Sequence, residues 1–130
     1  MTCKDDKIRK AKPVNQSGKI AEDIAANYLT RQGLKLIVRN FHCRFGEIDL
    51  IGLDREVLVF TEVRYRQNEY HMAVVETIDR HKQRKLVKTS EYYLIKNKTY
   101  QSYYCRYDVI AITGGLDKPT IEWIKNAFQA

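Results

Sequence analysis

The sequence predicts one α/β domain in which helices flank a mixed β-sheet, with the elements in the order α-β-β-β-α-β-β. Two stretches have apolar residues at helical spacing, and five apolar segments have the β-branched and aromatic composition of strands. Three of these segments lie between the helices and two follow the second helix. A chain of 130 residues is long enough to bury a core and too short for two domains.

The first helix is predicted to begin at Ser17, whose side chain can cap it, and to end at Gly33. Its apolar positions recur at steps of three and four residues, and they are Ile20, Ala21, Ile24, Ala25, Tyr28 and Leu29. Residues 1–16 lack this periodicity and contain several lysines and Pro13, so we expect a flexible basic arm. The single domain then spans residues 17–130.

The first three strands follow this helix. Residues 34–39 are predicted to form one strand, and residues 46–53 and 57–65 form a hairpin whose polar turn is residues 54–56.

A second amphipathic helix is predicted from about residue 77 to residue 96. Strands at residues 104–113 and 120–124 complete the sheet, and the pair Gly114-Gly115 breaks the chain between them.

The chain contains no run of eighteen apolar residues, and residues 1–7 lack the apolar core of a secretory signal. Its three cysteines, Cys3, Cys43 and Cys105, are widely separated, which argues against a disulfide framework and a four-ligand zinc site. We therefore expect a soluble, cytoplasmic protein with reduced thiols and no membrane contact.

The formal net charge of +7 is concentrated in two clusters, within residues 4–12 and residues 80–88. Such clusters suit a polyanion, because each phosphate contact releases counterions. A solvated helix face is the alternative interpretation of the same charges.

Acidic residues interrupt the apolar hairpin. Alternation along a strand places Glu47 on the face of Asp49, and Glu62 on the face of Arg64. A carboxylate in an apolar strand is costly to bury unless a metal, a cation or water is its partner. The alternative to a functional site is a structural ion pair, such as Glu62 with Arg64 or Arg66.

The spacing of these residues resembles the Asp…Glu-x-Lys core of the PD-(D/E)xK nuclease superfamily. Asp49 is followed by twelve intervening residues and then by Glu62-Val63-Arg64. Within that superfamily the chain resembles the YraN family of endonuclease-like proteins, which is related to Holliday junction resolvases. The matching strings include 18–29, 46–51, 60–66, 82–83, 105–109 and 122–124, so the resemblance covers nearly the whole chain after residue 16.

The resemblance implies a restriction-endonuclease-like fold and metal-dependent phosphodiester hydrolysis with Mg²⁺ or Mn²⁺. It implies that Asp49 and Glu62 bind the metal together with the Val63 carbonyl oxygen. Glu22 matches a catalytic glutamate on the first helix of the related resolvases, and an ordinary helix-flank carboxylate is its alternative. Glu47 is a candidate outer ligand or water-orienting group, and a simple pair with a lysine or arginine is its alternative. Asp108 is either catalytic or held by an intramolecular pair or a hydrogen bond to the backbone.

Arg64 departs from the superfamily pattern, because arginine stays protonated and cannot act as a base as a lysine can. It can still clamp a phosphate and stabilise negative charge. Two functions therefore stay open: an endonuclease acting on structured or branched DNA, and a nucleic-acid-binding module with little or no activity. A third interpretation is a domain whose basic surface binds an acidic protein.

The expected phosphate contacts are Arg66, Lys82, Gln83, Arg84 and Lys85. Gln83 resembles a polar helix residue of several such nucleases, although a solvent-facing glutamine needs no function. The expected partner is nucleic acid, most simply DNA, and a homodimer is possible because four-way junctions are usually cut by dimers.

Overall fold

The computed structural model describes residues 16–67 and 76–130. Its elements in chain order are helix α1 (Gln16–Arg31), strands β1 (Lys35–Cys43), β2 (Gly46–Asp54) and β3 (Val57–Arg66), helix α2 (Arg80–Lys96), a 3₁₀ helix (Lys98–Tyr100), and strands β4 (Tyr104–Thr113) and β5 (Thr120–Phe128). The predicted α/β class and the order α-β-β-β-α-β-β are confirmed.

The five strands of the described residues form one sheet, and their spatial order is their chain order. β3 and β4 are parallel, whereas every other neighbouring pair is antiparallel. Parallel strands need a crossover connection, and the segment that contains α2 provides it between β3 and β4. Within the described residues, no helix has both the length and the apolar character needed to span a bilayer.

The two helices cover opposite faces of the sheet. Ala21, Ala25 and Leu29 of α1 pack with Leu50 and Val59, and none of these side chains is more than 1% exposed. On the other face, the buried side chains of α2 and the strands include Phe41, Ile51, Leu58, Phe60, Leu86 and Tyr93. Each face therefore has its own core.

Alternation along β3 decides which face its charged residues share. Leu58 and Phe60 belong to the core on the α2 side, and Val59 belongs to the core on the α1 side. Side chains two residues apart share a face, so Glu62 and Arg64 lie on the α2 side as well.

Several predicted boundaries differ from those observed. β1 continues to Cys43 rather than ending at Arg39. The polar Asn40, whose φ is +54°, interrupts the apolar pattern from which the strand was predicted. β5 continues to Phe128 rather than Ile124, and α2 begins at Arg80 rather than near residue 77. α2 begins there because the Asp79 side chain caps it, accepting a hydrogen bond from the Lys82 N–H at 2.8 Å. Apart from Gln16, the predicted basic arm lies outside the described residues.

Asp108 lies where the pairing of β4 and β5 shifts register. Its side chain is fully buried and accepts four hydrogen bonds, from Nε and Nη2 of Arg106 and from Trp123 Nε1, each at 2.8 Å, and from the Asn126 N–H at 2.9 Å. The intramolecular pair and the backbone bond foreseen for Asp108 are both present. Asp108 therefore joins β4 to β5.

Candidate active site

A cleft of about 340 Å³ opens at one end of the sheet, between the first turns of α1 and α2 and the strands β2 and β3. Its lining comprises Ser17, Gly18, Ala21, Glu22, Glu47, Asp49, Glu62, Val63, Arg64, Tyr65, Arg66 and Lys82. The cleft thus brings together every predicted site residue except Gln83, Arg84 and Lys85.

The cleft lies where β2 and β3 separate. Their ladder runs from the pair Asp54 and Val57 to the pair Leu50 and Thr61, and then stops. Beyond it, the Val63 N–H donates to Asp49 Oδ2 at 2.8 Å, so a side chain replaces the next backbone partner. The N–H and C=O of a strand residue point to the same side, so the Val63 carbonyl also faces β2.

The Asp49 carboxyl group has a pKa well above its usual value. Burial is the main cause, and the neighbouring Glu62 and Glu22 carboxylates and a hydrogen bond with Glu62 raise the pKa further. The Val63 N–H acts in the opposite direction, because it stabilises the carboxylate form. Asp49 therefore favours its protonated form more than an ordinary aspartate does.

Glu62 is only 7% exposed and has two cationic neighbours. Arg64 Nη2 lies 3.2 Å and Lys82 Nζ lies 3.6 Å from Glu62 Oε2. The ion pair with Arg64 was the structural alternative considered for this carboxylate, and it is present. Lys82 comes from α2, far along the chain, so the sequence alone did not reveal its contact.

Glu22 and Glu47 are two further carboxylates that line the cleft. Burial raises the pKa of Glu22, while a hydrogen bond with Asn40 and the charge of Arg39 lower it. The charge of Glu47 raises it again, so the two carboxylates are close. Among the residues that the structure describes, Glu47 Oε1 is buried without a hydrogen-bond partner, which is costly for a carboxylate oxygen.

A model of the uncharacterised protein family UPF0102 matches residues 21–112, which include the cleft residues from Ala21 to Lys82. The chain belongs to the UPF0102 family. This is the YraN group, so the membership inferred from the motifs is confirmed.

Relatives in the UPF0102 family match most of the chain. A UPF0102 protein of Psychromonas ingrahamii is 47% identical over 116 residues, which are 88% of this chain and 91% of that protein. One of Alcanivorax borkumensis is 43% identical over 115 residues, 88% of this chain and 92% of the relative. One of Legionella pneumophila strain Philadelphia 1 is 44% identical over 115 residues, which are 88% of this chain and 96% of that relative.

Three predicted site residues of this UPF0102 chain lie outside the cleft. Gln83 donates from Nε2 to the Ile78 carbonyl at 3.0 Å, and with Arg84 it lines a separate depression beside Glu91. Lys85 lies about one helical turn after Lys82 and next to the β1–β2 turn. Its carbonyl oxygen would be 3.8 Å from a Cβ added to Gly46, directly after that turn. The cap at Asp79 fixes where α2 begins, and that start sets the side of the helix on which each of these three residues lies.

Asn40 is the cleft neighbour that sequence reasoning missed. It hydrogen bonds to Glu22 across the α1–β1 interface, and its φ of 54° turns the strand at that point. An asparagine inside an apolar strand was the available signal, because asparagine tolerates the left-handed region better than most residues.

A second, larger depression of about 890 Å³ lies at the other end of the sheet and includes Asp54, Arg106 and Lys125. Asp54 pairs with Arg106 at 2.9 Å and with Lys125 at 3.5 Å. These paired charges favour a structural role there and leave the cleft as the candidate site.

The donor set of the cleft fits a hard divalent cation. Within residues 16–67 and 76–130, no three acidic, histidine or cysteine side chains converge as a ready-made metal site. Mg²⁺ does not need three, because it usually binds one or two carboxylates and keeps several waters. Asp49, Glu62 and the Val63 carbonyl supply such a set, and the unpartnered Glu47 oxygen adds a nearby acceptor.

Proposed function

We propose that this protein is a metal-dependent endonuclease that hydrolyses phosphodiester bonds in structured or branched DNA. The observation that carries the proposal is the crowded pair of Asp49 and Glu62, in a cleft that also contains Arg64 and Lys82. Carboxylates bind the cation and the basic side chains receive the phosphate. The preference for structured DNA rests on the YraN resemblance.

In the proposed reaction, Asp49, Glu62 and the Val63 carbonyl would hold Mg²⁺ or Mn²⁺. Such an ion would supply activation of water and neutralisation of charge on the phosphate. An arginine cannot act as a base, so Arg64 clamps the phosphate. Lys82 provides the second positive charge, and the Glu22 and Glu47 carboxylates, which also line the cleft, can orient water.

The second candidate function is nucleic-acid binding with little or no hydrolysis. It is favoured by the two cations beside Glu62, because ion pairs with Arg64 and Lys82 neutralise that carboxylate without any metal. A lysine at position 64 would complete the nuclease pattern, and this chain has arginine.

One assay separates the two functions. Labelled single-stranded, duplex, flap and four-way-junction DNA are incubated with the protein and Mg²⁺, Mn²⁺ or a chelator. We expect cleavage that needs the metal and is fastest on the branched substrates. Binding to these DNAs without cleavage in either metal would establish the second function instead.

Metal binding is expected to strengthen as the pH rises. The raised pKa of Asp49 means that the metal-free protein keeps this proton above the usual range of aspartate, and a cation must displace it. For the same reason Asp49 makes the metal-free fold less stable as pH rises through its raised pKa. The measurement is the Tm shift caused by Mn²⁺ at weakly acidic and weakly basic pH.

We expect the larger Mn²⁺ shift at weakly basic pH and no such pH dependence in Asp49→Asn. Equal shifts at both pH values in the wild-type protein would contradict the assignment of Asp49 as a metal ligand.

Lys82→Gln is expected to slow cleavage about tenfold, because a positive charge near the developing phosphate charge is lost. Lys82→Arg should restore most of the rate, since the charge returns. Lys35→Gln is the matched control, because Lys35 is an exposed lysine on β1 opposite Leu53, at the end of the sheet away from the cleft. Equal rates for Lys82→Gln and Lys35→Gln would exclude a role for Lys82.

A further inference from the structure

Beyond the cleft, one side of α2 carries a row of cations. They are Lys82, Lys85, Lys88 and Lys96, and with Arg44 of the β1–β2 turn they make up what we call the basic stripe. At about 100° per residue, these four lysines fall within about 120° of one another around the helix. Lys82 lines the cleft, so the stripe begins at the candidate active site.

The β1–β2 turn packs directly on this side of α2. A Cβ built on Gly46 would lie 2.9 Å from Thr89 Oγ1 and 3.9 Å from Lys85 Cβ. Arg44 and Phe45 precede this glycine, so Arg44 is held beside the lysines rather than away from them.

Aromatic rings hold the cations of the stripe in place. The Arg44 guanidinium carbon and Lys88 Nζ lie 4.9 and 5.3 Å from the centroid of the same Phe45 ring. Lys96 Nζ lies 5.6 Å from the centroid of Tyr92, which itself contacts Phe45 edge-on. Cation–π contacts order these flexible side chains in advance, which lowers the entropy lost when a phosphate binds.

We propose that the basic stripe is the docking surface for a duplex arm of the DNA whose phosphodiester enters the cleft. This inference rests on the proposed function for the position of the scissile bond. The rise from Lys82 to Lys96 is about 21 Å, and phosphates along one strand of a duplex recur every 3.4 Å or so. A duplex lying along α2 therefore runs beside the stripe for about six base-pair steps.

The aromatic rings that contact the cations of the basic stripe favour a duplex over a single strand as its ligand. Single-strand binding uses bare aromatic faces on which bases stack. Here cations lie over the rings of Phe45 and Tyr92, and Tyr92 is only 8% exposed. The stripe therefore presents charge for the backbone and gives no means of reading bases, so it binds without sequence preference.

Arg80 and Arg84 lie beside the stripe rather than within it. They line a depression that also includes Lys88 of the stripe and Glu91, which is the one acidic residue within α2. At about 100° per residue, Arg84 is about 160° from Lys82 and about 40° from Lys88 around the helix. Arg84 is therefore outside the arc of the stripe, and Lys88 lies at the edge of that arc.

The test compares the double variant Arg44→Gln/Lys88→Gln with Arg31→Gln/Lys35→Gln, which removes the same charge at the opposite end of the sheet. Fluorescence anisotropy without metal measures the affinity for a labelled duplex and for its single strand at several salt concentrations. We expect the stripe variant to bind duplex at least about tenfold more weakly, with a salt slope smaller by about two. Its single-strand affinity should fall no more than that of the control.

Arg44→Lys/Lys88→Arg keeps both charges and should keep the wild-type duplex affinity, which separates charge from folding. Equal duplex affinities of the stripe and control variants would overturn the proposal, and so would an equal loss of duplex and single-strand binding. No affinity of the wild type for duplex even at low salt would also overturn it. Because no metal is present, absent cleavage in the separate nuclease assay contradicts the proposed function alone.

Discussion

Asp49→Asn should reduce metal-dependent cleavage by at least about a hundredfold, because losing one ligand carboxylate removes several kcal/mol of transition-state stabilisation. The same change should raise the stability of the metal-free protein. It replaces a buried carboxyl group that the Glu62 carboxylate destabilises, and the asparagine oxygen can still accept the Val63 N–H. About 1 kcal/mol corresponds to roughly 3–5 °C in Tm for a domain of this size.

The opposite signs of these two effects make the experiment informative. Substituting a purely structural residue lowers the stability and the activity of the protein together. Substituting a functional carboxylate of this kind raises stability and lowers activity. Asp117→Asn, in the exposed β4–β5 turn, is the matched control and should change neither quantity. Cleavage by Asp49→Asn at more than half the wild-type rate would remove Asp49 from the proposed site.

Asp108→Ala should destabilise the fold by about 3–5 kcal/mol, the range found when one partner of a buried ion pair is removed. The substitution leaves the Trp123 indole N–H and the Asn126 N–H without their acceptor, and it leaves Arg106 with Asp54 as its remaining partner. The pairing of β4 with β5 should loosen first, since those bonds join the two strands. Urea unfolding measures the change in the free energy of unfolding.

Asp54→Asn is the control for this prediction, because Asp54 pairs with the same arginine while its side chain is 21% exposed. The Asp54 pair is partly exposed and an asparagine can still accept from Arg106, so the control should lower stability by less than Asp108→Ala does. If both variants unfolded at the same urea concentration, Asp108 would not be the acceptor that holds the β4–β5 pairing. Cleavage by the folded fraction of Asp108→Ala should stay at the wild-type rate, since Asp108 lies outside the cleft.

Local pattern predicted those parts of the molecule that depend on neighbours in the chain. Both helices follow from apolar residues at helical spacing, and the hairpin and the approach of Asp49 to Glu62 follow from strand periodicity and a short turn. The strand ends at Cys43 and Phe128 were missed because polar residues such as Asn40 and Lys125 interrupt the apolar pattern. The strands continue past these residues because backbone pairing resumes beyond them, at Phe41 with Ile48 and at Phe128 with Tyr107.

The tertiary contacts of the site were beyond local pattern. Lys82 reaches Glu62 only because the crossover lays the first turn of α2 against β3, and the sequence does not specify that rotation of the helix. The same rotation turns Gln83 towards Ile78 and away from the cleft. Two explanations were left open for Asp108, namely a catalytic role and an intramolecular bond. Its hydrogen bonds with Arg106 and Asn126 favour the intramolecular bond, and they form at a register shift that no propensity predicts.

The bond from the Val63 N–H to Asp49 Oδ2 makes one amide a spectroscopic reporter of the cleft. Most strand amides bond to a neighbouring backbone carbonyl, whose charge does not vary with pH or ligand. The Val63 amide bonds instead to a group that gains or loses a proton and can be shared with a cation. Its nitrogen and proton chemical shifts should therefore follow the ionisation of Asp49, so one assigned resonance monitors occupancy of the cleft without any substrate.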